Sequence, residues 1–215
     1  MVAHHIAFIV ALVIPAACQI TQPDTNRASH FYWSEAKSQE LDYKSTIASA
    51  KELSPKERND LLAFVLYRFK HPVNAHDEEM FEGISDDQMR KLTAATRIEL
   101  VDLDGDGKKE IIAQGNGIGP CGATGNCIVL VLRDTDTGWE TLLDSRIGKF
   151  GGGYEKIRVL DTKNDGFRDI VLASHDSAAE RTAIVYRYEE GHYVPHQCYH
   201  ISWWTFTGGY HRVVS

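Results

Sequence analysis

Two stretches in the second half of the chain resemble each other, and this repetition constrains the fold more than any other feature. Ile98–Asp102 corresponds to Ile157–Asp161, and Glu110–Gln114 to Asp169–Ala173. Ile128–Arg133 corresponds to Ala183–Tyr188, and Gly138–Glu140 to Gly191–Tyr193. The offset is about 59 residues early in the unit and about 54 later, so each copy is one supersecondary unit. The first three matched pairs are short runs rich in Ile, Val and Leu. Each unit therefore reads as four short strands joined by tight turns. Such units are blade-like. A closed propeller needs at least about four blades, so two predict small sheets that pack together, or one extended sheet, with an open face to cover.

The preceding region, 31–95, carries helical signals. Ser54-Pro55-Lys56-Glu57 forms a capping box with proline at the first helical position. The serine hydroxyl accepts a free amide at the helix start while the glutamate reaches back. Leu61, Leu62, Val65, Leu66 and Phe69 then recur at helical spacing, giving one buried stripe that Pro72 ends. Ser85-Asp86-Asp87-Gln88 opens a shorter helix carrying Met89 and Leu92, and residues 34–51 are expected to form a third. Tyr67 and Arg68 read as solvent-edge residues. The expected class is α+β, with this helical segment packed on an antiparallel sheet of two blade-like repeats, an incomplete propeller.

The remaining boundaries follow from composition. Ile6–Ala17 is an almost unbroken apolar run, too short for a bilayer span but of the length of a secretory h-region. Residues 1–18 are thus expected to be a signal peptide and 19–30 a linker, with the β repeats at 97–200. The tail, 201–215, groups Trp203, Trp204, Phe206 and Tyr210, an edge cap or a recognition patch. Two cleavage readings stay open: simple secretion, or a lipid anchor at Cys18 after Ala16 and Ala17. Either predicts an exported protein, periplasmic or extracellular, with no transmembrane helix in the mature chain. Cys121 and Cys127 bracket a glycine-rich turn that can close a disulfide, as export allows, while Cys198 is left buried or free. The formal charge of -7 argues against a nucleic-acid partner.

The sharpest chemical feature is Asp102-Leu103-Asp104-Gly105-Asp106-Gly107-Lys108-Lys109-Glu110. Carboxylates at alternate positions converge on one centre, and the glycine at 107 permits a sharp turn. The expected cation ligands are Asp102, Asp104, Asp106, the Lys108 carbonyl and Glu110, an all-oxygen set that suits Ca2+ better than Mg2+. Strand-like flanks and Ile112 at the twelfth position argue against an EF-hand. The second copy, Asp161 to Asp169, keeps the frame but has Lys163 where Asp104 stands. Its ammonium is expected to lie where the cation would, with no metal bound. His175-Asp176-Ser177 reads as a polar turn, since adjacent residues do not assemble a hydrolase triad. His196, Cys198 and His200 would share one strand face and could hold a metal, though an ordinary exposed strand is the simpler reading.

On Asp102, Asp104, Asp106, Gly107 and Glu110 in one unit, the chain resembles the FG-GAP repeat family, with its VCBS-like calcium-loop β-repeats. In the other unit the resemblance rests on Phe150-Gly151, Val159, Asp161, Asp165, Gly166 and Asp169. It implies calcium used structurally in an exported protein that binds another protein or a glycan. The expectation is thus a non-enzymatic calcium-binding envelope module. The alternative is a secreted hydrolase centred near His175 or the acidic loop.

Overall fold

The computed structural model of the 215-residue chain describes residues 38–146 except 72, 74, 123 and 124, then 157–202 except 176–179, and 213–214. The leader, the linker and the aromatic tail segment 203–212 lie outside the described residues.

Three helices precede the repeats: α1 (Pro55–Lys70), α2 (Ala75–Phe81) and α3 (Asp86–Ala94). Both capping boxes form as the sequence requires. Ser54 Oγ accepts from the Glu57 amide at 3.2 Å, and the Glu57 carboxylate accepts from the Ser54 amide at 2.7 Å. Ser85 and Gln88 repeat the exchange at 3.3 and 2.9 Å. Among the described residues 38–51 the third predicted helix is absent. Residues 34–51 instead include two edge strands, β1 (Ser38–Glu40) and β2 (Ser45–Thr46), followed by a 3-10 turn over Ile47–Ser49. The strands are two and three residues long, too short to form without a sheet to join. Tertiary pairing decides their conformation, not local propensity.

Each repeat is a four-stranded antiparallel meander. The first comprises β3 (Arg97–Val101), β4 (Glu110–Gln114), β5 (Val129–Thr135) and β6 (Gly138–Asp144). The second comprises β7 (Arg158–Asn164), β8 (Phe167–His175), β9 (Glu180–Glu189) and β10 (His192–Ser202). β2 joins the β3 edge to complete a five-stranded sheet. β1 joins the β7 edge, and β11 (Val213–Val214) the β10 edge, to complete a six-stranded sheet. One segment, 38–46, thus adds an edge strand to both sheets. The two sheets remain open and separate, so the molecule is largely β, with the helices on one side.

Packing gives three layers. α1, α3 and the 3-10 turn cover one face of the first sheet through Ile47, Leu61, Val65, Phe69 and Met89 against Ile98, Ile111, Ala113, Leu130 and Leu132. The other face of that sheet (Val101, Ile112, Val131, Leu143) shares a second core with Val159, Ile170, Leu172, Ile184 and Tyr186 of the second sheet. Both faces of the first sheet are therefore covered, which is why β4 is buried throughout. The layers also reveal the sense of stacking. Ile111 and Ala113 face the helices, whereas their repeat equivalents Ile170 and Leu172 face the first sheet. Ile112 and its ladder partner Val131 face the second sheet, whereas Val171 and its ladder partner Val185 are buried outside both cores; the ladders thus align the third strands at an offset of 54, one residue from the sequence match. The units are stacked front to back, not front to front.

Arg68 is not a solvent-edge residue. From α1 it pairs with Asp144 Oδ2, and Asp144 has a side chain at 0% exposure. Arg146 grips the same carboxylate through Nε at 2.9 Å and Nη2 at 2.7 Å, and its Nη1 donates to the Arg68 carbonyl at 3.0 Å. Burial alone would raise the Asp144 pKa, but the hydrogen bonds and charge of Arg146, then Arg68, outweigh it and leave the pKa lowered. The cluster ties the helical layer to the end of β6.

Candidate functional site

The acidic loop joins β3 to β4. Asp102, Asp104 and Asp106 each offer a carboxylate oxygen, and these three atoms lie within 4.8 Å of one another. The local chain holds them there. Asp102 accepts from the Gly105 and Gly107 amides at 2.6 and 3.2 Å. Asp104 accepts from the Asp106 amide at 3.0 Å, and Asp106 from the Lys108 amide at 2.7 Å. Successive side-chain-to-amide bonds of this kind wind the chain around its own carboxylates. The arrangement suits a hard dication by its donor chemistry: three carboxylates, each backbone-oriented, at one centre.

Glu110 does not join the three aspartates. It is 3% exposed and faces the core between the sheets. Its Oε2 accepts from the Leu103 amide at 2.9 Å, and its Oε1 lies 3.4 Å from Arg133 Nε. Burial pushes its pKa up, and the Leu103 hydrogen bond opposes this. The like charge of Asp104 adds to the rise and Arg133 counters it, with a raised value as the result. Lys108, whose carbonyl the sequence suggests as a ligand, contributes the amide already described and is exposed.

Arg133 sits beneath the loop and was not singled out as a site residue in the sequence. Its Nη2 lies 3.1 Å from Asp104 Oδ2, so one guanidinium bridges Asp104 and Glu110. The same guanidinium lies 4.5 Å over the Phe167 ring. Phe167 stacks on Tyr188 at 3.9 Å between centroids, and Tyr193 closes the cluster edge-on at 5.4 Å from Tyr188. A sequence signal for Arg133 did exist: the third strand carries an arginine near its end in both units, at 133 and 187.

Lys163 does not turn into its own loop as expected. Its Nζ donates to the Asp104 carbonyl of the first loop at 2.9 Å. The reason is that β7 continues to Asn164, so Lys163 lies in a strand paired with Arg168 and not in a loop that encloses a centre. The close approach explains Gly105, at φ +87°, where an added Cβ would come within 3.1 Å of the ammonium. A main-chain bond from the Arg168 amide to the Leu103 carbonyl, 2.8 Å, fastens the same junction. The acidic loop is thereby docked on the hairpin of the second unit.

In the second copy of the frame Asp161, Thr162, Asn164 and Asp169 have protein partners. Asp161 pairs with Arg168 at 3.1 Å, Thr162 donates to Asp169 at 2.7 Å, and Asn164 donates to the Tyr188 carbonyl at 2.8 Å. Asp169, 2% exposed, faces Arg187 at 3.7 Å, echoing Glu110 and Arg133.

Cys121 and Cys127 are joined as a disulfide. Cys198 is not a free thiol: it is half-buried and disulfide-bonded, so it has no thiolate to offer a metal with His196 and His200. A bulge between Pro195 and Gln197 also interrupts the pairing of that strand at His196. The His175 side chain, Asp176 and Ser177 lie outside the described residues. Among the described residues the three aspartates form the one cluster with metal-ligand spacing. No described helix is long and apolar enough to cross a membrane.

No family model matches this chain, and neither a curated protein nor a solved structure matches it.

Proposed function

We propose that the protein is an exported, non-enzymatic β-repeat module of the FG-GAP or VCBS-like kind, in which Ca2+ stiffens the loop from Asp102 to Glu110. The surface of this scaffold would bind a protein or a glycan in the cell envelope or outside the cell. The observation that carries the reading is the convergence of the Asp102, Asp104 and Asp106 carboxylates. The front-to-back stacking of two four-stranded units supports the blade-like part of it. Asp102, Asp104 and Asp106 would hold the ion, which would supply structural rigidity and neutralise the loop's charge.

Thermal unfolding with and without calcium tests the reading. At a concentration a hundredfold above Kd, a ligand of the folded state stabilises by about 2.7 kcal/mol. For a domain of this size that raises Tm by about 5 to 10 °C. Asp104→Ala removes the shift. An unchanged Tm in millimolar CaCl2 sinks the calcium reading, and an equal shift from MgCl2 removes its selectivity.

A further inference from the structure

The acidic loop already has two cations built against it from other parts of the chain. Arg133 reaches up from β5, and Lys163 across from β7. Their situations differ. Lys163 meets only a backbone carbonyl at Asp104, with its own side chain exposed. Arg133 holds the Asp104 carboxylate itself, the oxygen donor a dication would need. Its two ion pairs are also unequal. The Glu110 side chain at the other end is 3% exposed and fixed by the Leu103 amide, whereas Asp104 is 20% exposed at the loop surface. The face of the guanidinium is held by Phe167. Arg133 can therefore release Asp104 and keep both Glu110 and the ring.

We propose that Arg133 is the internal counter-ion of the acidic loop, holding Asp104 until a divalent cation displaces it, and so sets the threshold and tightness of cation binding there. The inference rests on the calcium reading and deepens it by naming what regulates the site. In the same scheme Glu110 is the anchor of Arg133 and stands outside the ligand set. Removing the guanidinium leaves three carboxylates with less positive charge beside them, so a dication is attracted more strongly.

Calorimetric titration of the full mature chain with CaCl2 tests this, comparing the wild type with Arg133→Met and with the double variant Glu110→Met/Arg133→Met. The double variant replaces the buried pair by apolar groups of similar reach, and so guards against a failure to fold caused by an unpaired Glu110. The expected result is binding about tenfold tighter than wild type in Arg133→Met, an estimate from removing one nearby charge partly screened by water, and a smaller gain in the double variant, where Asp104 is released but the Glu110 charge is lost as well. Equal affinity in all three proteins overturns the role of Arg133 and leaves the calcium reading standing. Binding lost only in the double variant also overturns it, because Glu110 would then be a ligand. No binding in any of the three removes the calcium reading and the counter-ion with it.

Discussion

Between β3 and β4 the chain runs through an open loop, whereas between β7 and β8 it turns in two residues, Asp165 and Gly166. The sequence frame is the same in both places, with aspartates and a glycine at matching positions. The difference lies in how far the first strand extends. In the second unit β7 continues to Asn164, which pairs with Phe167, and Asp165 and Gly166 take φ of 47° and 86°. Positive φ at both central residues is the hairpin geometry that Asp-Gly favours. In the first unit pairing stops at Val101 with Glu110, and the freed residues coil around their own carboxylates. One frame therefore gives a convergent acidic centre when the ladder ends early and a polar hairpin when it continues. The hairpin then supports the loop, through Lys163, the Arg168 amide and Phe167.

The largest test of this contrast compares the two buried acids. Glu110→Ala should cost about 3 kcal/mol, because it orphans the Leu103 amide and removes the buried partner of Arg133. Asp169→Ala should cost about half as much. It loses a hydroxyl donor and a looser 3.7 Å pair. Urea unfolding of the two variants measures the gap, and equal losses would erase the distinction between the units.

The next effect isolates an insertion particular to the first unit. Cys121→Ser with Cys127→Ser opens the small covalent loop between β4 and β5 and should cost about 2 kcal/mol. If the second unit truly supports the first, the loss appears as one shifted transition. Two separated transitions would mean that the units unfold independently.

The turn glycines come next. Gly166→Ala and Gly105→Ala should each cost about 1 kcal/mol, since both carry φ near +90°. Gly105→Ala should in addition disturb the Lys163 contact, which amide exchange at Asp104 and Gly105 would report; identical exchange in both variants would deny that the ammonium matters.

The smallest effect is in acid. The lowered pKa of Asp144 contributes stability that is fully present above the unfolded value, about 3.9. That contribution is lost as pH falls through the folded value below it. Asp144→Asn should flatten the acid limb of a stability profile below about pH 4. An unaltered limb would mean that the Arg68–Asp144–Arg146 cluster is not the acid-sensitive element of the first sheet.

Some of this was legible in the sequence because it is encoded locally. The two capping boxes, the Leu61–Val65–Phe69 stripe, the eight repeat strands and the cysteine pair each depend on neighbours within a few residues. The α+β outline followed from them in its coarse form. Across the chain, local pattern failed. β1 and β2 are strands only because β7 and β3 offer open edges, so residues 34–51 read as helix. α2, seven residues without a strong apolar pattern, escaped notice. At the candidate site the aspartates were visible, but Arg133, Phe167 and the direction of Lys163 were not. A guanidinium 29 residues beyond Asp104 becomes its neighbour only once β4 and β5 pair. The burial of Glu110 was hidden for a similar reason, since spacing gives its distance along the loop but not the side of the strand it occupies.

The segment at 38–46 carries a consequence in time. β1 meets β7 across 118 residues between Glu40 and Arg158, so an early part of the described chain waits for a late one. Closing so distant a contact costs chain entropy before any pairing repays it. Helices and the first meander, with β2 on its edge, can form as soon as they are made, but β1 cannot be paired. A nascent chain thus keeps β1 without its partner until synthesis is well past Arg158, and the first strand of the described chain is among the last to be seated.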